Sequence, residues 1–297
     1  MSFHHPGLTG VLSSLATDAA TRDGSAEPRD GVRTTRRPVL RTHLVGHLGR
    51  SAAMRSPTRA LVPAVLVLAA LFAPAVSAAQ SKAPSVIPPT VGKIDGRTYG
   101  EWSAEWWRQG YAVPTSVSPF LEDGAANCGL GDKSVRFLFG TFAQQGTPPN
   151  DVVGVANRSC TIKAGTRLFL PSLNGDCSTV GGDGNTEAKL RACATTQGDF
   201  IAKGTQNLTV DGTELPTYRV ASPLFTFSLP QDNILGVVHP KPSLSVADGF
   251  FAMLDTLEPR RKPYIVAFGG SLRIPASATD PAFTFSTTVT YAITVAP

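Results

Sequence analysis

Short runs of β-branched and aromatic residues, separated by Gly, Pro and Asp, occupy most of the chain from residue 130 onward. The five clearest are residues 135–139, 167–170, 224–227, 264–268 and 288–295. Within the last run, every second residue from Val289 to Val295 is apolar, which is typical of a strand covered on one face. Many short strands and few helices predict a mainly β fold, namely a single-domain antiparallel β-sandwich of jelly-roll type.

All three tryptophans lie in one predicted amphipathic helix, residues 99–109, near the start of this domain. At about 100° per residue, Tyr99, Trp102 and Trp106 share one face, and charged residues gather on the opposite face. Trp107 lies beside this stripe, so we expect its ring to be the most exposed of the three. The helical spacing of the tryptophans first indicates packing in the core. Because an indole face packs well on sugar rings, lipids and apolar polymers, Trp107, with Trp102 and Trp106 beside it, is the candidate ligand-binding surface.

Two further local signals complete the predicted fold. Residues 208–215 carry a central Asp-Gly pair, which supplies the positive φ angles of a two-residue hairpin turn. Residues 186–203 contain helix formers that predict one short internal helix, capped by Thr186 or Asn185. We expect Gly198 to break this helix.

The four cysteines form an even set, as expected for disulfides in an exported protein. Three pairings are possible from the sequence alone. We favour bonds between neighbours, Cys128 with Cys160 and Cys177 with Cys193. A zinc site is the alternative, but no C-x-x-C pair occurs, and the only histidine after residue 78 is His239.

Residues 54–78 have the order of a signal peptide. Arg55 and Arg59 form a basic start, an apolar stretch follows, and residues 76–78 are a small-residue cleavage site. The alternative is a membrane anchor, but the apolar stretch falls short of the roughly 20 residues that cross the hydrocarbon core. We therefore expect a secreted, periplasmic or cell-envelope protein with no stable membrane span after cleavage.

These signals divide the chain into four segments. Residues 1–53, which precede Met54, are either an over-extended N-terminus or a disordered extension, since Arg, Ser, Thr, Gly and Pro dominate them. Residues 54–78 are the predicted signal peptide, and residues 79–94, rich in Pro, Ser and Ala, are predicted to be a disordered linker. The β-sandwich domain is predicted to cover residues 95–297.

The excess positive charge of the chain is confined to its leader. Residues 1–78 hold nine Arg and four acidic residues, a net charge of +5, whereas the remaining residues hold 18 basic and 18 acidic side chains. Binding to nucleic acid needs excess positive charge on a folded face. The balanced charge of the domain therefore argues against a nucleic-acid partner.

Three residues are candidates for catalysis. Glu101 and Glu105 lie one helical turn apart, and a pair of carboxylates is what hydrolysis of a glycosidic bond requires. They share their helix face with Arg97 and Arg108, so surface ion pairs are the alternative explanation. His239 is the one imidazole of the predicted domain, but no Gly-x-Ser-x-Gly motif places a nucleophile beside it, and a surface loop is the alternative.

The sequence suggests one metal site, a calcium loop. Asp183, Asn185 and Glu187 offer oxygen ligands at alternate positions, as at the start of a calcium-binding loop, and Asn174 and Asp176 could complete the site. The spacing of an EF-hand is incomplete, and a polar turn that ends in a helix cap is the alternative. We expect no resident cofactor and leave calcium open.

Several segments in a fixed order resemble a group of uncharacterised exported bacterial proteins. They are an aromatic helix with the pattern Tyr-x-Glu-Trp-x-x-x-Trp-Trp from Tyr99, then Cys128-Gly129, and then residues 135–140, 158–165 and 168–174. The closing strand, residues 283–295, is compatible with the same group. The resemblance spans residues 95–175 and implies export and disulfides; it brings no activity, ligand or catalytic residue with it.

We expect a non-catalytic exported protein that binds a ligand or a partner in the cell envelope or the extracellular space. Export, the balanced charge of the domain and the lack of an assembled catalytic motif favour this function. The alternative is an extracellular hydrolase that acts on a polymer or glycan through Glu101, Glu105 or His239.

Overall fold

The structure is a computed structural model and describes residues 82–126, 128–142, 150–277 and 281–297. All of these residues fall in one compact unit. The predicted signal peptide, the segment before it and the first residues of the predicted linker lie outside the described residues. Neither helix within these ranges has the length and apolarity that a membrane span requires.

Two helices and eleven strands form the described fold. Helix α1 spans Tyr99–Tyr111 and helix α2 spans Glu187–Lys203, with short 3-10 turns at Pro89–Val91 and Thr115–Val117. The strands are β1 (Gly124–Ala125), β2 (Val135–Phe137), β3 (Asp151–Lys163), β4 (Arg167–Ser178), β5 (Thr205–Val210), β6 (Thr213–Glu214), β7 (Tyr218–Ala221), β8 (Phe225–Phe227), β9 (Ser243–Leu254), β10 (Tyr264–Ile274) and β11 (Phe283–Ala296). They form sheet 1, in the order β1-β3-β11-β10-β5-β6, and sheet 2, in the order β2-β4-β9-β7, with β8 paired to β9.

Both sheets are mixed, so the predicted antiparallel arrangement is wrong. Strands β3 and β11 run parallel along their whole length, and the pairs β1–β3 and β2–β4 are also parallel. Parallel neighbours lie far apart along the chain, because their connection must cross over. Local alternation in the sequence cannot reveal such a pairing. Alternation does predict the covered face of β11, because every second residue from Phe285 to Val295 is buried.

One cluster of buried side chains joins the two sheets. Its members from sheet 2 alternate along β4 and β9, and those from sheet 1 alternate along β10 and β11. They include Leu168, Leu170, Ala252 and Leu254 from sheet 2 and Val266, Phe268, Val289, Tyr291 and Ile293 from sheet 1. Since both sheets contribute alternate residues to a shared core, the fold is sandwich-like.

Helix α1 covers the opposite face of sheet 2. Its Trp106 ring stacks on Phe139, with ring centroids 4.8 Å apart, and meets Phe251 of β9 edge to face. The indole nitrogens of Trp102 and Trp106 each donate to a backbone carbonyl at 2.9 Å. Because these donors are satisfied, both rings are buried without the penalty of an unpaired N–H.

Helix α2 is continuous, so the expected break at Gly198 is wrong. Thr186 caps its start, as one of the two predicted caps, and accepts a hydrogen bond from the backbone N–H of Lys189. A Cβ at Gly198 would lie 2.6 Å from Nη2 of Arg219 and from Cγ of Asp248. The absence of a side chain lets this ion pair of sheet 2 approach the helix.

The structure has the two disulfides that the sequence favours. Cys128 bonds to Cys160, and Cys177 bonds to Cys193. The first bond links strand β3 to the segment that follows β1. The second bond links strand β4 to helix α2. Disulfides persist in oxidising compartments, which indicates an extracellular or periplasmic environment.

The predicted hairpin is present as well. Strands β5 and β6 pair across Asp211 and Gly212, whose φ angles are 52° and 80°. All five runs singled out in the sequence contain strands, namely β2, β4, β8, β10 and β11. The sequence did not indicate β3 or β9, and it did not extend β4 to Ser178.

Residues 82–94, part of the predicted linker, contact the end of sheet 2. Val86 forms a β-bridge with Leu254. The N–H of Ile87 donates to the carbonyl of Met253 at 2.9 Å. Through these contacts the segment packs on the domain, although its composition alone predicts disorder.

Candidate functional site

A groove of about 480 Å³ lies at one edge of the sandwich, where the segment after β1 and the end of β3 approach β2. Its charged lining residues are Lys133, Arg136 and Lys163. We call it the basic groove and define it by these three residues.

Two features of the chain fix the walls of the basic groove. The Cys128–Cys160 disulfide ties one wall to β3. At the end of β3 the chain turns at Gly165, whose φ of 80° favours glycine. Beyond that turn, the N–H of Thr166 donates to the carbonyl of Lys163 at 3.2 Å. The backbone that carries Lys163 is therefore held by a tight turn between two strands.

Arg136 contributes the guanidinium of the basic groove. It lies in β2 between the buried Val135 and Phe137, so alternation along the strand directs its side chain away from the core. Its Nη1 donates to the carbonyl of Gly129 at 2.7 Å. Since a guanidinium has five N–H donors, this bond positions Arg136 and leaves donors for a bound anion.

The charge in the basic groove is of one sign. No Asp or Glu occurs among the described residues that line it. Lys133, Arg136 and Lys163 take part in no ion pair within the described part of the chain. Asp132, which precedes Lys133, pairs with Arg97 at 2.9 Å; the hydrogen bond from Arg97, and to a lesser extent the backbone N–H and the charge of Lys133, hold the pKa of Asp132 below its ordinary value. A concave surface with unpaired cations attracts anions.

The helix face that carries Glu101 and Glu105 borders a second groove, of about 250 Å³, against Phe225. Arg108 forms an ion pair with Glu105, and its Nε donates to a backbone carbonyl at 3.1 Å. Glu105 also accepts a hydrogen bond from Gln109 at 2.7 Å. The surface ion pair considered as the alternative to catalysis is thus present at Glu105.

Glu101 belongs to the N-terminal cap of α1. Its Oε2 accepts from the backbone N–H of Thr98 at 2.7 Å, and Oγ1 of Thr98 accepts from the N–H of Glu101 at 3.3 Å. This reciprocal pair is a capping box. The hydrogen bonds from Thr98 hold the pKa of Glu101 below its ordinary value. A Thr-x-x-Glu spacing is the sequence signal that identifies this cap.

All three indoles are buried, as their helical spacing indicates, and Trp107 has no exposed face. Trp107 is 3% exposed, compared with 1% for Trp106 and 0% for Trp102. Its ring lies 5.0 Å from that of Tyr111 and 6.0 Å from that of Phe120, between centroids. Phe120 therefore covers the side of α1 that the apolar stripe leaves open, and the structure presents none of these rings to a ligand.

His239 is exposed in the loop before β9, with a φ of 51°. Within the described residues, no hydrogen bond or ion pair joins it to Glu101 or Glu105. The structure thus assembles the three candidates into no common hydrogen-bonded set. A catalytic role for any of them stays a prediction.

The predicted calcium loop lies beside the disulfide between β4 and α2. A carboxylate oxygen of Asp183 lies within 4.8 Å of both disulfide sulfurs, which offer no thiolate to a metal because they are bonded to each other. Asp183 Oδ2 accepts from the N–H of Ser178 at 2.9 Å. Glu187 pairs with Arg191 at 2.5 Å, and Asn185 is exposed. Calcium binding here stays a prediction.

Asp176, considered from the sequence only as a further calcium ligand, connects α1 to sheet 2. Its Oδ1 accepts from the hydroxyl of Tyr111 at 2.7 Å, and its Oδ2 accepts from the hydroxyl of Ser245 at 2.7 Å. Burial raises the pKa of Asp176 to about 6, and the two hydrogen bonds oppose that rise. Asp176 lines neither of the two grooves.

The sequence did not indicate the basic groove. Lys133, Arg136 and Lys163 are isolated basic residues, and the balanced charge of the domain hides them. Alternation in β2 is the one local signal, because it places Arg136 between two apolar residues. The contribution of Lys163 depends on the position of β3 in the sheet, which no local pattern reveals.

Comparison of this chain with protein-family models, with curated proteins and with solved structures gives no match. The resemblance drawn from the aromatic helix and the cysteine segments stays a prediction.

Proposed function

We propose that this chain is an exported, non-catalytic protein of the cell envelope or extracellular space, whose jelly-roll-like sandwich binds a ligand in the basic groove. The observation that carries the proposal is the groove itself, with a volume of about 480 Å³. Ligand sites are mostly preformed clefts of about 300–1,000 Å³. The basic groove falls in this range, and its walls are held by a disulfide and a tight turn.

Export is supported by the two disulfides, because such bonds persist in the periplasm, at cell surfaces and outside the cell. Residues 54–78 are the segment that would direct the chain there. N-terminal sequencing of the protein recovered from the periplasm or the medium tests this step. We expect the mature chain to begin at Ala79. A chain that stays in the cytosol with residues 54–78 intact would contradict export.

A binding function is also supported by the structural contacts of the catalytic candidates. Glu101 caps α1, and Glu105 pairs with Arg108. A catalytic carboxylate needs a position from which it can reach the scissile bond, whereas these two are engaged by their own helix. The groove that Glu101 and Glu105 border is smaller, about 250 Å³, and lies below the usual range of ligand sites.

A binding screen of the pure protein against glycans, lipids and envelope polymers tests the proposal. We expect saturable binding of at least one class, with the ligand recovered unchanged. Turnover of a polymer by the pure protein would overturn the proposal. Loss of that turnover in Glu101→Gln, Glu105→Gln or His239→Ala would assign the activity to the alternative site.

A further inference from the structure

We infer that the basic groove binds a polyanion, that is, one ligand with two or more phosphate or carboxylate groups. This inference rests on the proposed binding function and adds the chemical class of the ligand. It is carried by the charge, the position and the surroundings of Lys133, Arg136 and Lys163.

The three cations of the basic groove come from three separate segments. Lys133 lies in the turn before β2, Arg136 lies within β2, and Lys163 ends β3. All three line one cavity that holds no carboxylate among its described lining residues. Cations that share a cavity repel one another, and an anion bound between them removes that repulsion.

Among the described residues Arg136 has no carboxylate partner, and the same is true of Arg158, Arg261 and Arg273. The arginines that do form such ion pairs are Arg97, Arg108, Arg167, Arg191, Arg219 and Arg260. Arg136 is instead held by the carbonyl of Gly129 at 2.7 Å. Its planar guanidinium is thus positioned on a strand and suits the paired oxygens of a phosphate or carboxylate.

The number of cations sets the number of anionic groups. Lys133 and Lys163 supply further point charges, and Thr161 and Thr166 are lining residues that carry hydroxyls. A ligand with a single charge would neutralise one cation and leave two without a partner. A neutral glycan offers hydroxyl oxygens as acceptors but no charge, and a lipid tail offers neither, so neither ligand would neutralise the three cations. The groove therefore selects ligands with several anionic groups.

Isothermal titration calorimetry on the mature protein tests the inference with three probes. Tripolyphosphate supplies phosphates, a short polygalacturonate oligomer supplies carboxylates, and a neutral glucan oligomer of similar length is the control. We expect saturable one-site binding of at least one polyanion and none of the glucan. The polyanion that binds identifies the source of the charge. The affinity should fall at least about tenfold between about 0.05 and 0.5 M NaCl, because the contacts are ionic.

Substitutions locate the site. Lys133→Gln, Arg136→Gln and Lys163→Gln should each weaken binding of the polyanion roughly threefold to tenfold, and the triple variant should abolish it. Each variant keeps both disulfides, and near-ultraviolet circular dichroism verifies its fold. The matched control removes three exposed cations of the loops before β9 and β10, through Lys241→Gln, Arg261→Gln and Lys262→Gln. It should bind like the wild type.

The outcomes separate this inference from the proposed function. The inference would be overturned if polyanion binding were weakened equally in the two triple variants. It would also be overturned if the triple variant of the basic groove bound the polyanion as tightly as the wild type. A wild-type protein that binds a neutral ligand but neither polyanion would also overturn it and would leave the binding function intact. Turnover of a polymer without saturable binding of an unchanged ligand would instead overturn the proposed function.

Discussion

The hydroxyl of Tyr111, the last residue of helix α1, donates a 2.7 Å hydrogen bond to Oδ1 of Asp176 in β4. Ser245 of β9 donates to the other carboxylate oxygen at 2.7 Å. One carboxyl group therefore connects the helix to two strands of sheet 2. Because burial raises the pKa of Asp176 to about 6, the strength of this connection depends on pH.

We predict that Asp176 lowers the stability of the protein as the pH rises from about 4 to about 6. Its pKa is about 6 in the folded protein and near its ordinary value of 3.8 in the unfolded chain. In this range the folded state binds the proton more tightly, so the free energy of unfolding decreases as the proton is lost. The effect should be on the order of 1 kcal/mol, since the residue is partly exposed.

Urea unfolding of wild type and Asp176→Asn over this pH range measures the effect. Carboxyl groups other than Asp183, which interacts electrostatically with Asp176, titrate alike in both proteins, so their contributions cancel in the difference. The free energy of unfolding of wild type minus that of the variant should fall as the pH rises and level off above about pH 6. A difference that rises with pH would contradict the raised pKa.

We predict that Tyr111→Phe destabilises the protein by about 1–2 kcal/mol at neutral pH, because it removes a hydrogen bond to an ionised carboxylate. The decrease in the free energy of unfolding should be smaller at about pH 4.5, where Asp176 is protonated in the folded state. Tyr218→Phe is the control, since its ring is half-buried and no hydrogen bond of its hydroxyl occurs in the described structure. If Tyr111→Phe lowered the free energy of unfolding equally at both pH values, the contact with Asp176 would be contradicted.

We predict that Gly198→Ala destabilises the protein, although alanine favours helices. The new Cβ would lie 2.6 Å from Asp248 and from Arg219, and such overpacking costs about 1–3 kcal/mol. The gain in helix propensity is at most about 1 kcal/mol. Gly140→Ala is the matched control, because a Cβ there meets nothing within 4 Å and its φ is not positive. Thermal unfolding of both variants gives the comparison, and a higher Tm for Gly198→Ala would contradict the close approach.

We predict that loss of the Cys177–Cys193 disulfide lowers the free energy of unfolding by about 3 kcal/mol, because the bond closes a loop with a sequence separation of 16. The double variant Cys177→Ala/Cys193→Ala provides the measurement. A reducing agent should lower the Tm of the wild type. It should lower the Tm of the double variant less, because only the Cys128–Cys160 bond remains to be reduced. An unchanged Tm of the wild type after verified reduction would contradict a stabilising role.

The parts of the fold that the sequence predicts correctly are those set by neighbours along the chain. Alternation identified the covered face of β11, and the Asp-Gly pair identified the hairpin at Asp211. The apolar spacing of Trp102 and Trp106 identified α1. In each case the residues that decide the structure lie within a few positions of each other.

The parts that the sequence does not predict depend on partners far away in the chain. Strand β9 carries Asp248 next to a glycine, which is a turn signal, yet Asp248 is buried in a strand because Arg219 of β7 pairs with it. The side of Trp107 that looked free is covered by Phe120. The same holds for the candidate site, since Lys163 joins the basic groove only through the tertiary position of β3.

Hydrogen exchange of the mature protein, with and without saturating tripolyphosphate, tests the central claim most directly. If the basic groove is the binding site, the amides of residues 128–136 and 160–166 should exchange more slowly with the ligand present, and those around Glu101 and Phe225 should not change. Protection confined to the groove beside Glu101, or no protection at residues 128–136 and 160–166, would contradict the account.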